Sequence, residues 1–391
     1  MIPVAEALHH LFDLIAPLPV EEVPLVQAAG RVLARDVMAR RDQPPFAASS
    51  MDGYAVVGDD VTPGAQFTVV GEAAAGHRFA GSVEPGQAVR IFTGAPMPEG
   101  TDWVVIQEDV SRDGDTITLG DTLETKPYVR PAGADFCEGD TFAAPRLLSP
   151  SDIALLASMN IAQVPVTRRP VVAIIATGDE LVQPGEDPGP DQIIASNSYG
   201  LAALLQATGA DTRLLPIARD NTDALTLAFD LARGADLIVT IGGASVGDHD
   251  LVGAVAEAAG MERAFYKIAM RPGKPLMAGR MGDAVMIGLP GNPVSAMVCG
   301  HVFVVPVVRA MLGLGRAPAP RETAVLAHDI GANGPREHYT RARRGKDGVT
   351  IFDRQDSALL TVLANADCLA IRPPHDGPRA KGDAIEIISL T

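Results

Sequence analysis

The chain is short of cysteine and of base. Its 391 residues hold only 3 cysteines, Cys137, Cys299 and Cys368, set far apart and with no C-x-x-C pair. That spacing argues against a zinc site and suits a reducing compartment, so the thiols are read as small core residues and the chain as cytoplasmic. Lys and Arg number 32 against 48 Asp and Glu, giving a net charge of −16 and a pI near 4.9. This sign excludes nucleic acid as a general partner, while leaving room for a small anion held by local bases. The first 20 residues lack a basic start followed by an apolar run, so no secretory signal is expected. Long hydrophobic runs are also missing. Val294 to Val308 is the longest, but Gly300, His301 and Pro306 break it, and it is too short to span a bilayer, so no membrane partner is expected. What remains is 47% apolar and 20% charged, the balance of a soluble chain with a large core, and the length asks for about two to four domains.

One stretch organises the rest: Leu237 to Asp250, LIVTIGGASVGDHD. Leu237, Ile238, Val239 and Ile241 form the continuous apolar, β-branched run of a strand covered on both faces. Gly242, Gly243 and Gly247 then let the backbone turn and come close to a ligand. Asp248 and Asp250 follow, and LVGAVAEAAG reads as a helix ending at Gly260. Strand, glycine turn and helix is an anion-binding arrangement, because free N–H groups at the helix start face the ligand. Two carboxylates beside the turn would repel a bare phosphate, so a divalent cation is expected between them.

Taken in order, residues Met1 to Met38 read as helical, and a second helical patch runs from Leu148 to Ile161, capped by Ser149-Pro150-Ser151-Asp152. Residues 1–38 and 140–169 are therefore expected to form one discontinuous helical, dimerising domain. Between them, 39–139 reads as a β-rich insert with runs such as QFTVVGEAAAG, AVRIFTGA, WVVIQEDV and TITL. It opens on Ser49-Ser50-Met51-Asp52-Gly53-Tyr54-Ala55, where Asp-Gly alone would be only a hairpin turn. Residues 170–315 alternate strand and helix and predict a doubly wound parallel sheet with its site at the C-terminal strand ends. After the linker Ala317 to Pro320, residues 316–391 carry short strands expected to close a small β-barrel. That last part holds 11 basic and 10 acidic residues, with Arg341, Arg343 and Arg344 clustered, so it can approach an anion that the rest of the chain would repel.

Five strand ends of the α/β part carry polar residues: Thr177-Gly178-Asp179-Glu180, Arg219-Asp220-Asn221, Gly247-Asp248-His249-Asp250, Arg271-Pro272-Gly273-Lys274-Pro275 and Leu289-Pro290-Gly291-Asn292-Pro293-Val294-Ser295. In a doubly wound sheet they share one edge. Carboxylates for a Mg²⁺ ion, with Lys and N–H groups for phosphate oxygens, make a phosphate or phosphoanhydride site. A competing pattern is Gly243-Ala244-Ser245-Val246-Gly247, the G-x-S-x-G of a hydrolase nucleophile elbow, with Asp283 and His301 downstream. It leaves RPGKP, LPGNPVS and the carboxylates without a role, so Ser245 is read as a ligand hydrogen-bond donor or a turn closer, and His249 as a solvated turn residue.

These motifs, in this order, resemble the molybdopterin molybdenumtransferases, the MoeA family that includes the gephyrin E domain. The resemblance covers essentially the whole chain. It rests on Ser50-Met51-Asp52-Gly53-Tyr54-Ala55, Arg90-Ile91-Phe92-Thr93-Gly94-Ala95, Thr177-Gly178-Asp179-Glu180-Leu181, Gly242-Gly243-Ala244-Ser245-Val246-Gly247, Pro272-Gly273-Lys274-Pro275 and Leu289-Pro290-Gly291-Asn292-Pro293-Val294-Ser295. It implies a multidomain α/β protein that works as a homodimer, with each site shared between the α/β domain of one subunit and the insert of the other. It implies insertion of molybdate into adenylylated molybdopterin, with Mg²⁺-dependent loss of AMP. Asp52, Glu180, Asp250 and Lys274 would be catalytic, and Asp52, Glu180, Asp220 and Asp250 would hold metal. Thr93, Asp220, Gly243, Ser245, Gly247, Lys267, Arg271, Pro290, Gly291, Asn292, Ser295, Arg341 and Ser357 would bind substrate. A molybdopterin adenylyltransferase and apo-molybdoenzymes are the partners this implies. Arg271 stands where many members carry Lys, Ala244 where Val is commoner, and Asp353-Arg354-Gln355-Asp356 where glycines are frequent. The alternatives are a molybdopterin-binding scaffold that has lost the chemistry, against which Asp52, Glu180 and Asp250 argue, and a serine hydrolase using Ser245.

Overall fold

The computed structural model describes residues 1–243 and 251–390. The chain forms two compact units, one of residues 1–21, 30–34 and 166–391, the other of residues 22–29 and 35–165.

The first unit is built on a six-stranded sheet in the order Asp211–Leu214, Val171–Ala176, Leu237–Ile241, Ala284–Leu289, Met277–Met281, Met261–Tyr266. The first four strands are parallel, as the alternation of strand and helix predicts. The last two join by antiparallel pairings. Met277–Met281 runs antiparallel to both neighbours, because Gly282, at φ 61°, closes a tight hairpin to Ala284 that leaves no room for a crossover helix. Side chains alternate across the sheet. Val172 and Ile174 face a core with the helix Asn197–Ala207 and the run starting at Pro293, whereas Ala173 and Ile175 face the helices Thr222–Leu231 and Leu251–Ala258. All five residues of Leu237–Ile241 are buried, which is why this strand is apolar without alternation.

The helical run Pro293–Met311 is 19 residues, longer than the broken apolar segment suggests, and 78% buried. By length and composition it could cross a membrane, but its apolar surface is spent on the core of this unit. A π-helical segment, Gly300–Val304, lets the run continue into Val305–Met311 despite Pro306. His301 sits in that segment, where burial pushes its pKa down to about 4.

The strands Glu322–Val325, Ala384–Ser389, Cys368–Arg372, Glu337–Gly345 and Gly348–Ile351 pair antiparallel in that order. A bridge between Leu326 and Val349 brings the two ends of this path together, giving the expected barrel. Met270–Arg271 adds on in parallel beside Glu337, with Arg271 opposite His338, so the α/β part and the barrel are joined by a strand pairing.

The expectation of helix through Met38 fails after the first third. Helix occupies Val4–Asp13 and buries Val4, Ala7, Leu8, Leu11 and Phe12. Beyond it come the strands Val20–Pro24, Val32–Leu33 and Val37–Met38. Pro17, Pro19 and Pro24 remove helix donors, and the Val-rich run favours strand geometry. The first helix packs in the core of the first unit, while Pro150–Ser158, with its Ser149 capping box, belongs to the second.

The second unit holds a sheet in the order Trp103–Ile106, Gly53–Val56, Gln87–Ile91, Gln66–Ala73, Thr116–Leu119, Val110–Asp113. Tyr54 and Val56 pack on one face with Phe67, Ile117 and Leu119, and Ala55 on the other with Val89, Ile91 and Val104.

Candidate functional site

The strand ends of the α/β sheet open into a cleft of about 720 Å³. Its floor is Thr177-Gly178, Gly242-Gly243 and Pro290-Gly291, the first residues after three adjacent parallel strands. Gly243 has φ 66°, and a Cβ there would stand 2.1 Å from Val252 Cγ2. Only glycine lets the backbone turn here under the following helix. One wall carries carboxylates. Glu180 and Asp220 both line the cleft, and the Asp220 carboxyl is raised above its ordinary value by partial desolvation and by the charges of Asp179 and Glu180. Asp179 accepts from the Asp220 backbone N–H at 3.2 Å, and Arg219 donates to the Asp179 carbonyl at 2.6 Å. Clustered carboxylates with a raised pKa favour a cation among them. Among the described residues no group of three or more His, Cys, Asp or Glu is arranged to hold a metal, and Asp250, expected to complete the set, lies outside them together with Ser245 and Gly247.

Next to this wall the lining is neutral: Ile193 and Ile194, on a strand that pairs with Leu181–Val182, then Ser196, Asn197 and Ser198 at the start of a helix. Asn197 donates from Nδ2 to the Gly291 carbonyl at 2.7 Å, tying that helix to the Pro290-Gly291-Asn292-Pro293 turn. Of the expected substrate residues, Gly243, Pro290, Gly291 and Asn292 line the cleft with Glu180 and Asp220. Lys267, Arg271, Lys274, Ser295, Arg341 and Ser357 do not, although Pro275 and Ala358, neighbours of two of them, do. Ser295 is 4% exposed, on the inner side of the run from Pro293. Ser357 contributes its carbonyl, which accepts from Val294 N–H at 3.0 Å.

Arg341 and Arg271 belong to a second, basic cluster. Arg341 is wholly buried on the strand Glu337–Gly345. It donates from Nη2 to the Asp356 carbonyl at 3.1 Å, and its Nε and Nη1 meet no partner among the described residues. Burial and the charge of Arg271 pull its pKa down to about 10, against the opposing pull of Asp356. His338 beside it also buries an unpartnered Nε2. Burial, Arg271, Arg341, Arg336 and Arg372 together push its pKa down to about 4. A buried guanidinium with two open donors is costly unless an anion completes it. The Asp353-to-Asp356 stretch does not spoil this cluster: the Asp356 carboxylate accepts from Ala358 N–H at 2.8 Å. His338 was not singled out by the sequence, where it stands as a lone histidine in an ordinary strand; only its burial among arginines marks it. The stretch from Ser196 to Ser198 was not singled out for the site either; a Ser-Asn-Ser run at a helix start was the signal available.

Asp52 and Thr93 lie together in the second unit. Asp52 Oδ1 accepts from the Thr93 N–H at 2.8 Å and from Thr93 Oγ1 at 2.7 Å. These two bonds, opposed by slight desolvation and aided by Arg90, hold its carboxyl below the usual carboxylate range. Gly53 is needed next to it because a Cβ would fall 2.0 Å from the Val105 carbonyl oxygen. Arg90 donates to the Gly53 carbonyl at 2.9 Å and to Gln107 Oε1 at 2.7 Å, and lies over the rings of Tyr54 and Phe92. The Asp-Gly pair is therefore a held carboxylate, not a bare hairpin turn. His301, the base that a serine hydrolase would need, is in the middle of a core helix and does not line the cleft.

Three family models match the chain in tandem: "MoeA N-terminal region (domain I and II)" over residues 2–160, "Probable molybdopterin binding domain" over 173–310, and "MoeA C-terminal region (domain IV)" over 323–390. A molybdopterin molybdenumtransferase of Nostoc sp. is 35% identical over 411 residues, covering 100% of this chain and 94% of that protein. One from Haemophilus influenzae is 34% identical over 380 residues, covering 95% and 94%. The crystal structure of a molybdopterin biosynthesis moeA protein from Pyrococcus horikoshii OT3 is similar with a TM-score of 0.86 at 26% identity, covering 100% of both chains.

Proposed function

This chain belongs to the MoeA family, and from that premise and its cleft we propose that it inserts molybdate into adenylylated molybdopterin, releasing AMP in a Mg²⁺-dependent step. The observation that carries the reading is Glu180 and Asp220 lining one cleft above a floor of glycine turns, where the Asp220 carboxyl is raised by burial and its acidic neighbours. Such a wall fits a divalent cation, and a cation there lets an anionic phosphoanhydride approach carboxylates. When bound, Mg²⁺ supplies charge neutralisation to the phosphate oxygens.

The chain's own residues have the following roles. Glu180, Asp220 and Asp250 hold the cation. The backbone at Gly243, Gly291 and Asn292 approaches the substrate closely. Lys267 and Lys274 balance charge as AMP leaves. Arg341 and Arg271 take the oxyanion: a buried guanidinium with two unpartnered donors is completed by an anion. Asp52 stays ionised because Thr93 donates to it twice, and an ionised carboxylate can bind metal or hold an oxyanion's proton. In this reading the chain is a homodimer, and Asp52 and Thr93 serve the cleft of the partner subunit. A molybdopterin adenylyltransferase would supply the substrate and apo-molybdoenzymes would receive the product.

The test is reconstitution with adenylylated molybdopterin, Mg²⁺ and molybdate. The wild-type protein releases AMP and activates an apo-molybdoenzyme, whereas Asp220→Asn slows AMP release by about 10²-fold. Unchanged AMP release in that variant would remove the cation site from the mechanism.

A further inference from the structure

The neutral wall of the cleft has an unused feature. The helix Asn197–Ala207 starts at Ser196, whose side chain makes no capping bond, and its first turn holds no acidic residue. Gly200 N–H returns to the Ser196 carbonyl at 3.2 Å, so the N–H groups of Asn197, Ser198 and Tyr199 are left with no carbonyl of this helix to reach. Ser198 lies in this turn and lines the cleft. It is 8% exposed, and its hydroxyl has no partner among the described residues. Helical side chains lean toward the N-terminus, so a first-turn hydroxyl and the free N–H groups serve one spot. The Asn197 amide is occupied at the Gly291 carbonyl and the Tyr199 hydroxyl at Gln183 Oε1, 2.9 Å away; both bonds hold the turn in place.

We propose that this helix start, completed by the Ser198 hydroxyl, seats the phosphate of molybdopterin on the pterin side of the anhydride. The assignment rests on the pterin-phosphate reading of the cleft and adds a binding residue to it. Neutral donors and the positive end of a helix dipole suit a phosphate that stays on the product, while the carboxylate wall with its cation suits the bond that breaks. Ile193 and Ile194 beside the turn offer apolar surface to a planar heterocycle.

The test compares wild type, Ser198→Ala and Ser198→Asp in binding three probes: molybdopterin, the same pterin after phosphate removal, and inorganic phosphate, with AMP as a fourth arm. Asp is tolerated at a helix start, so folding is preserved, and circular dichroism with a thermal melt checks it. Ser198→Asp should weaken molybdopterin and inorganic phosphate by about tenfold or more, and Ser198→Ala by a few-fold, while phosphate-free pterin is bound as by wild type. Equal binding of molybdopterin by wild type and Ser198→Asp would overturn the proposal. So would equal losses for both pterins, which would put Ser198 against the ring. Loss of AMP binding alone would move the subsite to the nucleotide and overturn the pterin-side assignment. If wild type binds inorganic phosphate through Ser198 but no pterin, the anion seat stands and the reading of the cleft fails.

Discussion

At the scale of single residues, the side chains that matter are those whose charge the fold leaves unanswered. Arg341 is wholly buried with two donors open. Replacing buried charged groups by apolar side chains of similar volume is often neutral or stabilising by about 1–4 kcal/mol. Arg341→Met should therefore melt at the same temperature as wild type or higher in oxyanion-free buffer. Molybdate should raise the melting temperature of wild type and not of the variant. A variant that is less stable and still stabilised by molybdate would place the anion elsewhere. His338 gives a pH signature. Its folded pKa is about 4 against an ordinary 6.5, so the unfolded chain takes up a proton first. The stability it contributes is complete above pH 6.5 and is lost as pH falls toward 4, with about 2 kcal/mol gone at pH 5. Urea melts at pH 7 and pH 5 should show this loss in wild type and a flatter response in His338→Gln. Asp52 is shifted in the same direction, by hydrogen bonds instead of burial. Its lowered pKa keeps the carboxylate charged as the pH falls through the ordinary carboxylate range, and Thr93→Val, which removes one of its two donors, should move that titration upward by NMR.

Elements were legible in the sequence where one physical cause dominated. The buried strand Leu237–Ile241 and the helix capped by Ser149 stand where composition and capping residues place them. The second half of the first 38 residues was misread because a helical spacing of apolar residues coexists there with prolines and valines, and packing decided for strands. The hairpin Met277–Met281 to Ala284–Leu289 was missed because only its second strand carries an unbroken apolar run, whereas Gly279 and Arg280 interrupt the first. The site was legible as strand ends, since Glu180, Asp220, Gly243, Gly291 and Asn292 share one cleft. It was not legible as two chemically different places, because sequence carries no measure of which cation is buried. Gly53 tests an element directly. A Cβ 2.0 Å from the Val105 carbonyl must push apart Gly53–Val56 and Trp103–Ile106, so Gly53→Ala should cost about 2–4 kcal/mol by urea unfolding. A loss under ~0.5 kcal/mol would mean that this strand pair yields easily.

At the scale of the whole molecule, the proposed chemistry would be divided among parts of the chain with different charge. The barrel is near neutral while the remainder carries the acid, which in the proposed reading suits one region to an oxyanion and another to a cation. The proposed homodimer places Asp52 of one subunit at the cleft of its partner, and mixing variants tests this. Asp52→Ala and Glu180→Gln should each be inactive, yet an equal mixture of refolded subunits should recover about a quarter of wild-type activity, from the one intact site in each mixed dimer. No recovery would put both residues of a site on one chain.

The central claim is that a cation-assisted break of a phosphoanhydride is coupled to metal insertion, and AMP release during reconstitution measures it. With purified protein, adenylylated molybdopterin and molybdate, AMP should appear with added Mg²⁺, stop with EDTA and fall sharply in Glu180→Gln, in step with activation of an apo-molybdoenzyme. Full activation without AMP release, or AMP release indifferent to Mg²⁺ and to Glu180, would contradict it.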